Sequence, residues 1–434
     1  MFGELLIYLP IVLMVALLAI GVPIAFSMAI SGLLGLYFVF GAEQTTGTLS
    51  TVAHAETTVF LYTTIPMFIL MAEFINESNL TEYIFDAGQK WLANIPGGLA
   101  IATTIANGGF AVLSGSSLAA AATMSSIAVP EMRKYGYKDT IAMGTVSAAG
   151  TFAAMLPPSL ALIIYGVWTE TSIAALFIAG VVPGVLTLAG YVVVILIWNS
   201  QDSDLTSGRQ SYSWNERFAS LKPIWPTTII VVLVLGGLYS GAVTATEAGA
   251  IGAAGAFLVA ILILGMSMEE TNDALARAAR TTAMIFFIII GAVIFTRYMA
   301  YTRLTQDIVN FINGLPVGVL GTVIILLTIY ILLGTFMDQI AVLILTLPIT
   351  FPLFVHEFGY SAVWFGIVLI KTVEIGLVTP PLGMNVYVAS STVDVDIGDA
   401  FRGASVFLTV DIVILAAMIA FPEMVMWLPD LMMG

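Results

Sequence analysis

Apolar stretches long enough to cross a bilayer follow one another along almost the whole chain. They cover residues 5–20, 24–40, 59–75, 95–129, 141–155 and 173–198, then 226–239, 248–266, 281–295, 317–334, 340–354, 363–378 and 401–421. A hydrocarbon core about 30 Å thick takes about 20 apolar residues in a helix. No water is present there to complete hydrogen bonds, so a spanning segment must satisfy its own backbone, and runs of this length do so as α-helices. The chain is therefore expected to be an all-α polytopic membrane protein. Its 9% of charged residues agrees, since soluble domains carry roughly a quarter. The same figures exclude a disordered chain and a nucleic-acid binder, and a cysteine count of 0 excludes a secreted disulfide scaffold.

An internal repeat organises these stretches. Gly136-Tyr137 recurs as Gly359-Tyr360 and Pro157-Pro158 as Pro380-Pro381, both at an offset of 223 (359 − 136 and 380 − 157). The first copy carries Arg133, Lys134 and Lys138 beside its Gly-Tyr pair, whereas the second carries His356 and Glu357. By the positive-inside rule the first loop is cytoplasmic and the second outside. The two units are thus expected to be inverted repeats, a common plan in secondary transporters. Counting spans from Arg133 puts both termini on the outer side.

Each repeat holds two interruptions. One is a polar tip between apolar arms: Ser114-Gly115-Ser116-Ser117 in the first, Gly334-Thr335-Phe336-Met337-Asp338 in the second. Polar backbone at membrane depth survives only against protein or a water-filled cavity, so these read as two re-entrant helical hairpins. The other is the Pro-Pro pair. Proline lacks an N–H and disfavours helix at the residue before it, so unwinding is expected from Leu156 and Thr379. The carbonyls of Ala153, Ala154, Gly376 and Leu377 are expected to be freed. Free carbonyls near hydroxyls suit a small hard cation such as Na⁺, and the restarting helix aims its positive end at an anionic group. The result is two broken helices.

The expected organisation has scaffold helices and an interfacial arm at 1–94, a first transport unit at 95–198 and a cytoplasmic linker at 199–222. Further scaffold helices fill 223–315, a second transport unit fills 316–400, and a C-terminal helix fills 401–434. The start has no basic region or cleavage site and reads as a retained helix.

Few charges sit within the spans. Asp338 reads as a cation ligand or as the N-cap of the helix after it. Lys371 and Glu374, three residues apart, can pair along one helix face; alternatively Lys371 attracts a substrate carboxylate. Ser159 and Asn385 follow the two breaks and either bind substrate or cap the restarting helices. Glu247 reads as a capping group. The two histidines lack metal-ligand company, so no enzyme is expected.

These residues resemble the large membrane subunit of the tripartite ATP-independent periplasmic (TRAP) transporters over essentially the whole length. The resemblance rests on Ile65-Pro66-Met67-Phe68-Ile69, on Ser114–Ser117 leading to Val129-Pro130-Glu131-Met132, and on Thr246-Glu247-Ala248-Gly249. Its most specific part is Gly334–Asp338, Leu347-Pro348-Ile349, Phe365-Gly366-Ile367 and the run from Gly376 to Asn385. The resemblance implies import of an organic solute, usually a carboxylate, by a Na⁺-driven elevator motion in a bacterial inner membrane. It implies two partners, a small four-span membrane subunit and a periplasmic substrate-binding protein. Na⁺ is the coupling ion and no other cofactor is implied. Sodium ligands carry over to Ser114, Ser116, Ala153, Leu156 and Pro158 for one site, and to Gly376, Thr379 and Pro381, near Gly334 and Asp338, for the other. Ser117, Ser159, Lys371 and Asn385 are the substrate candidates. The chain departs from the family pattern at Ala245, where a proline is common, and at Lys371, where an uncharged polar residue is expected. A stand-alone Na⁺- or H⁺-coupled carrier or antiporter of related architecture is the alternative.

Overall fold

The computed structural model describes residues 2–77, 80–201, 211–314 and 316–433, so part of the expected linker, residues 202–210, lies outside the described residues. Every regular element among them is a helix. The chain opens with α1 (Phe2–Ala19), α2 (Ile24–Thr57), α3 (Thr64–Glu77) and α4 (Leu80–Leu92). The first repeat follows as α5 (Gly98–Ser114), α6 (Ser117–Lys134), α7 (Asp139–Ala149) and α8 (Leu160–Thr169), and then α9 (Ile173–Gln201). Next come α10 (Trp214–Ser220), α11 (Trp225–Tyr239), α12 (Ala245–Leu262), α13 (Met268–Tyr301) and α14 (Leu304–Asn313). The second repeat is α15 (Gly318–Phe336), α16 (Gln339–Phe351), α17 (Ala362–Leu377) and α18 (Met384–Val393), followed by α19 (Ile397–Ala420) and α20 (Glu423–Met433).

The repeat is visible in this order. Helix–turn–helix, then helix, break and short helix occurs twice, and α7 and α17 start at 139 and 362, the same offset of 223. Gly136 and Gly359 both adopt positive φ, 80° and 72°. A side chain is strained there, so the matched glycines preserve a matched turn. Both breaks fall at the proline pairs. The first comprises residues 150–159, including a short 3₁₀ turn (Thr151–Ala154), and the second residues 378–383. The Pro157–Pro158 and Pro380–Pro381 peptides are both cis.

Among the described residues seven helices are long and apolar enough to cross a membrane, or eight if the bent α10–α11 pair is one span. The segments Gly318–Phe336 and Gln339–Glu357, each 19 residues, are among them, so length alone permits either a crossing or a hairpin there.

Two helices outrun their apolar stretches. Helix α2 continues to Thr57 past a kink at Gly41 (φ 83°). Its polar extension is rich in threonine, and its threonine hydroxyls donate to carbonyls one turn back, as Thr45 Oγ1 does to Gly41 O at 2.9 Å. Helix α13 begins at Met268, before its apolar run, under a capping box between Ser267 and Glu270. Polarity ends a hydropathy window, but it does not end a helix.

Helix α2 packs along α13 and α1, α3 along α12 and α13, α7 along α19, and α15 along α17. Helix–helix contact in lipid favours small residues that let backbones approach. Gly144 on α7 meets Gly403 on α19 this way; a Cβ on Gly403 would lie 1.9 Å from the Thr140 carbonyl oxygen. On the Arg133 side, the Arg133 guanidinium donates to both oxygens of Asp139 at 2.7 and 2.9 Å. That hydrogen bonding holds the Asp139 carboxyl below the usual carboxylate range.

Gly403→Ala is expected to lower the thermal transition of the purified protein by several degrees, because overpacking a backbone contact costs about 1–3 kcal/mol or more. Gly236→Ala, which meets nothing within 4 Å, should be neutral or slightly stabilising in the same thermal-shift measurement. A depressed carboxyl stabilises the fold above its unfolded value, and that contribution disappears as pH falls through the depressed value. The pair is half-exposed, so Asp139→Asn should cost no more than about 1 kcal/mol at neutral pH and should flatten the acid limb of stability against pH.

Candidate functional site

The first hairpin tip sits on the break of its repeat, and the second on the last turn of α17, just before its break. In the first, α5 ends at Ser114, Gly115 turns the chain with φ 61°, and Ser116 caps α6 by accepting from the Ala119 amide at 3.3 Å. A Cβ on Gly115 would lie 3.2 Å from the Leu160 amide nitrogen and 3.6 Å from the Pro158 carbonyl oxygen. A cavity of about 10 Å³ lies here, lined by Ser114, Gly115, Pro158 and Leu160 with Phe68 and Met71 of α3. That is room for about one water or small ion. The Ser114 hydroxyl is buried and has no hydrogen-bond partner among the described residues. Ala153 lies in the 3₁₀ turn, and Leu156 packs where a Cβ on Gly184 of α9 would come within 2.9 Å of it. Ser159 is the N-cap of α8 and accepts from the Leu162 amide at 3.4 Å.

In the second repeat the tip approaches still closer. A Cβ on Gly376 would fall 2.8 Å from the Gly334 Cα and 2.5 Å from the Ile331 carbonyl oxygen. Helices α15 and α17 can therefore touch only because both positions are glycine. Asp338 caps α16, accepting from the Ile340 and Ala341 amides at 3.0 and 3.2 Å. The expectation that the prolines free the Gly376 carbonyl is corrected: it accepts from the Thr379 amide at 3.0 Å, because the last turn of α17 tightens to an i+3 bond. The Thr379 hydroxyl donates to Ile375 O at 2.6 Å. Pro381 is exposed in the break, and Gly383 (φ 51°) starts α18. Met337, Asp338 and Met384 line one wall of an open crevice of about 860 Å³; its other walls come from the α1–α2 turn and α13.

The pair expected between Lys371 and Glu374 is also corrected. Lys371 reaches across to Asp411 of α19 at 2.6 Å and to Thr187 of α9 at 3.1 Å. Both ions of this bridge are 1% exposed. Tyr191 donates to the other Asp411 oxygen at 2.7 Å and contacts Thr151 at 3.1 Å. With its ammonium so engaged, Lys371 is not free for a substrate carboxylate. Asp411 was missed by the sequence reading, although a lone acid in an apolar run is itself the signal; a lone lysine in another run is its natural partner. Glu374 is fully buried with Ser117 beside it, and neither carboxylate oxygen has a hydrogen bond of normal geometry. Both polar atoms of the Asn385 side chain, in the first turn of α18, are likewise buried and unpaired. Ser117 and Asn385 meet at Gly150: a Cβ there would lie 3.1 Å from the Ser117 carbonyl oxygen and 3.5 Å from Asn385 Nδ2. The expected Glu247 cap is present, with Glu247 Oε2 accepting from the Thr244 amide at 2.8 Å.

Each repeat thus brings its own tip and break close together, and the repeats approach one another where Gly150 lies between Ser117 and Asn385. Hydroxyl, amide, carboxylate and carbonyl oxygens suit hard cations and polar organic groups.

The family described as tripartite ATP-independent periplasmic transporter, DctM component, matches residues 11–424. The C4-dicarboxylate TRAP transporter large permease protein DctM of Pseudomonas aeruginosa is 32% identical over 367 residues, 84% of this chain and 85% of the relative. The sialic acid TRAP transporter large permease protein SiaM of Vibrio cholerae is 29% identical, covering 96% of this chain and 97% of its own. The ectoine/5-hydroxyectoine TRAP transporter large permease protein UehC of Ruegeria pomeroyi is also 29% identical, with the same coverage.

Breaking the Lys371–Asp411 bridge from one side should strand a buried charge. Asp411→Leu and Lys371→Met are each expected to destabilise by about 3–5 kcal/mol, and the double variant should recover much of the loss. Thermal unfolding of the two single variants and the double variant checks this.

Proposed function

The chain belongs to the tripartite ATP-independent periplasmic transporter family as its DctM component, and from that membership we propose that it imports an organic acid or similar small solute in symport with Na⁺. It is a multi-pass bacterial inner-membrane subunit of a secondary transporter, not an enzyme. The observation that carries the finer reading is the docking of the first hairpin tip on its Pro-Pro break and of the second on the last turn of α17, just before its break. The second break interrupts the segment running from α17 to α18 near its middle, so a tip packed beside it supports re-entrant hairpins rather than complete crossings.

Two cations are assigned to these junctions. Ser114, Ser116, Ala153, Leu156 and Pro158 would hold one at the first, and Gly334, Asp338, Gly376, Thr379 and Pro381 the other. Cation charge there offsets the negative carbonyl ends of the broken helices and draws tip and break together. Residues 95–198 and 316–400 would move as the elevator against a scaffold formed by 1–94 and 223–315. The partners would be a small four-span membrane subunit and a periplasmic binding protein that delivers the solute. Both termini are assigned to the periplasmic side.

The relatives' names span C4-dicarboxylates, sialic acid and ectoine at nearly equal identity. Global similarity therefore does not choose among them, and the proposal stops at the solute class. Among the substrate candidates Lys371 is engaged by Asp411, Ser159 by its cap and Ser117 by Glu374 beside it, while both polar atoms of the Asn385 side chain are buried without partners among the described residues.

Proteoliposomes containing the protein and its partners, with the cognate binding protein outside, should accumulate solute under an inward Na⁺ gradient. Uptake that continues at full rate with K⁺ in place of Na⁺ overturns the coupling. Asp338→Asn keeps an effective N-cap but removes the charge. It is expected to move half-maximal Na⁺ activation severalfold upward; an unchanged Na⁺ dependence removes Asp338 from the second site.

A further inference from the structure

Arg217, on the short helix α10, is a buried cation without an anion. It is 9% exposed, and its Nε has no hydrogen-bond partner among the described residues. No ion pair forms to it there either. The acids gathered around Tyr212, just before α10, are committed elsewhere. Glu216 accepts from the Ser213 amide and hydroxyl, both at 2.7 Å. Asp86 accepts from Lys90, and Glu131 from Lys134, each at 2.6 Å. A buried charge left unpaired is costly. What Arg217 does meet is aromatic: its Cζ lies 5.0 Å from the centre of the Trp214 ring. Trp91 of α4 packs edge-on to Trp214 and Phe218 and donates from Nε1 to the Arg217 carbonyl oxygen at 3.1 Å, which fixes α10 in place.

Beside Arg217 runs an apolar stripe. Trp214, Phe218, Leu221 and Trp225 are spaced four, three and four residues apart, as on one face of a helix, and all four are exposed. The stripe continues onto α11, whose Ile229, Val232 and Leu233 are exposed as well. Helix α11 forms part of a candidate span, and α10 leaves its line by 54°, so α10 turns toward the membrane plane. Tryptophans at the end of a span mark the headgroup level. Lys222, in the turn between the two helices, is exposed and makes no ion pair among the described residues. We propose that this corner binds an anionic phospholipid of the cytoplasmic leaflet, its phosphate on Arg217 with Lys222 adding charge, and its hydrocarbon against Trp214 and Phe218. A planar guanidinium matches phosphate oxygens, and basic residues beside a span recognise anionic headgroups. The exposed stripe selects a lipid over free phosphate, which has nothing to lay on it. Because α10 is tied to α4, which packs on α5, the lipid sits at the joint between the linker and the helices leading into the first hairpin. The inference goes beyond the transport reading, since it requires only that the chain sits in a bilayer.

The test is native mass spectrometry of the delipidated, purified full chain, titrated with phosphatidylglycerol and in parallel with phosphatidylcholine. Wild type is expected to retain one more phosphatidylglycerol per chain than Arg217→Gln, with no such difference for phosphatidylcholine. Equal retention of phosphatidylglycerol by the two proteins overturns the site, and an equal difference with phosphatidylcholine overturns its preference for anionic lipid. Excess inorganic phosphate is expected to leave the lipid bound; displacement by phosphate assigns a free-anion site and overturns the lipid. If Arg217→Gln does not fold, Trp214→Ala changes an exposed side chain of the same corner. It is expected to weaken phosphatidylglycerol retention severalfold, and unchanged retention overturns the proposal. Each of these failures leaves the Na⁺ coupling proposed above untouched.

Discussion

Inside a bilayer a backbone amide or a charge has no water to turn to, and this structure is arranged around that constraint. Among the described residues twenty α-helices satisfy most of the backbone internally. The exceptions are the two Pro-Pro breaks and the two hairpin tips; the first tip is packed against its break and the second against the last turn of α17 beside its break. Ser116, Ser159 and Asp338 cap the helices that leave these points, while the Thr379 amide closes the last turn of α17. What remains exposed to ligands is a small set of oxygen atoms in a confined space. A solute or ion entering it meets polar groups whose reorganisation has largely been done in advance.

The buried charges obey the same constraint in a different way. Lys371, Asp411, Tyr191 and Thr187 form a network that joins α17, α19 and α9. Such a bridge adds little net stability over an apolar replacement, yet removing one member is costly. Its structural effect is to hold the second repeat's central helix against the helices that follow each repeat. Glu374 lies one turn away on α17 but outside the hydrogen bonds of that network.

The repeats share architecture but not chemistry. The first tip presents Ser114 to a cavity the size of one small ion. The second presents a glycine contact, an aspartate cap and a wide crevice lined by α1, α2 and α13. Duplicated geometry thus provides two similar junctions, and divergence in a few tip residues gives them different side chains. The glycines are the least negotiable part of this plan. Gly334, Gly376, Gly144 and Gly403 sit where a Cβ would overlap a neighbouring backbone.

Much of this is local and was legible in the sequence: the apolar runs, the repeat offset, the polar tips, the prolines that interrupt two helices, and the caps at Ser159, Glu247 and Asp338. These follow from hydrophobic run length, a missing N–H and short side-chain-to-backbone bonds, all of which act within a few residues. Apolarity misplaced the ends of α2 and α13, because helices extend through polar residues wherever capping and packing allow. Tertiary structure alone decided which distant groups meet. Lys371 had Glu374 three residues away, yet its long side chain found Asp411, 40 residues on, because α17 lies against α19 there. The burial of Glu374 beside Ser117 was decided in the same way. Partners across a helix interface depend on how helices are rotated and offset, and no single run of residues carries that information.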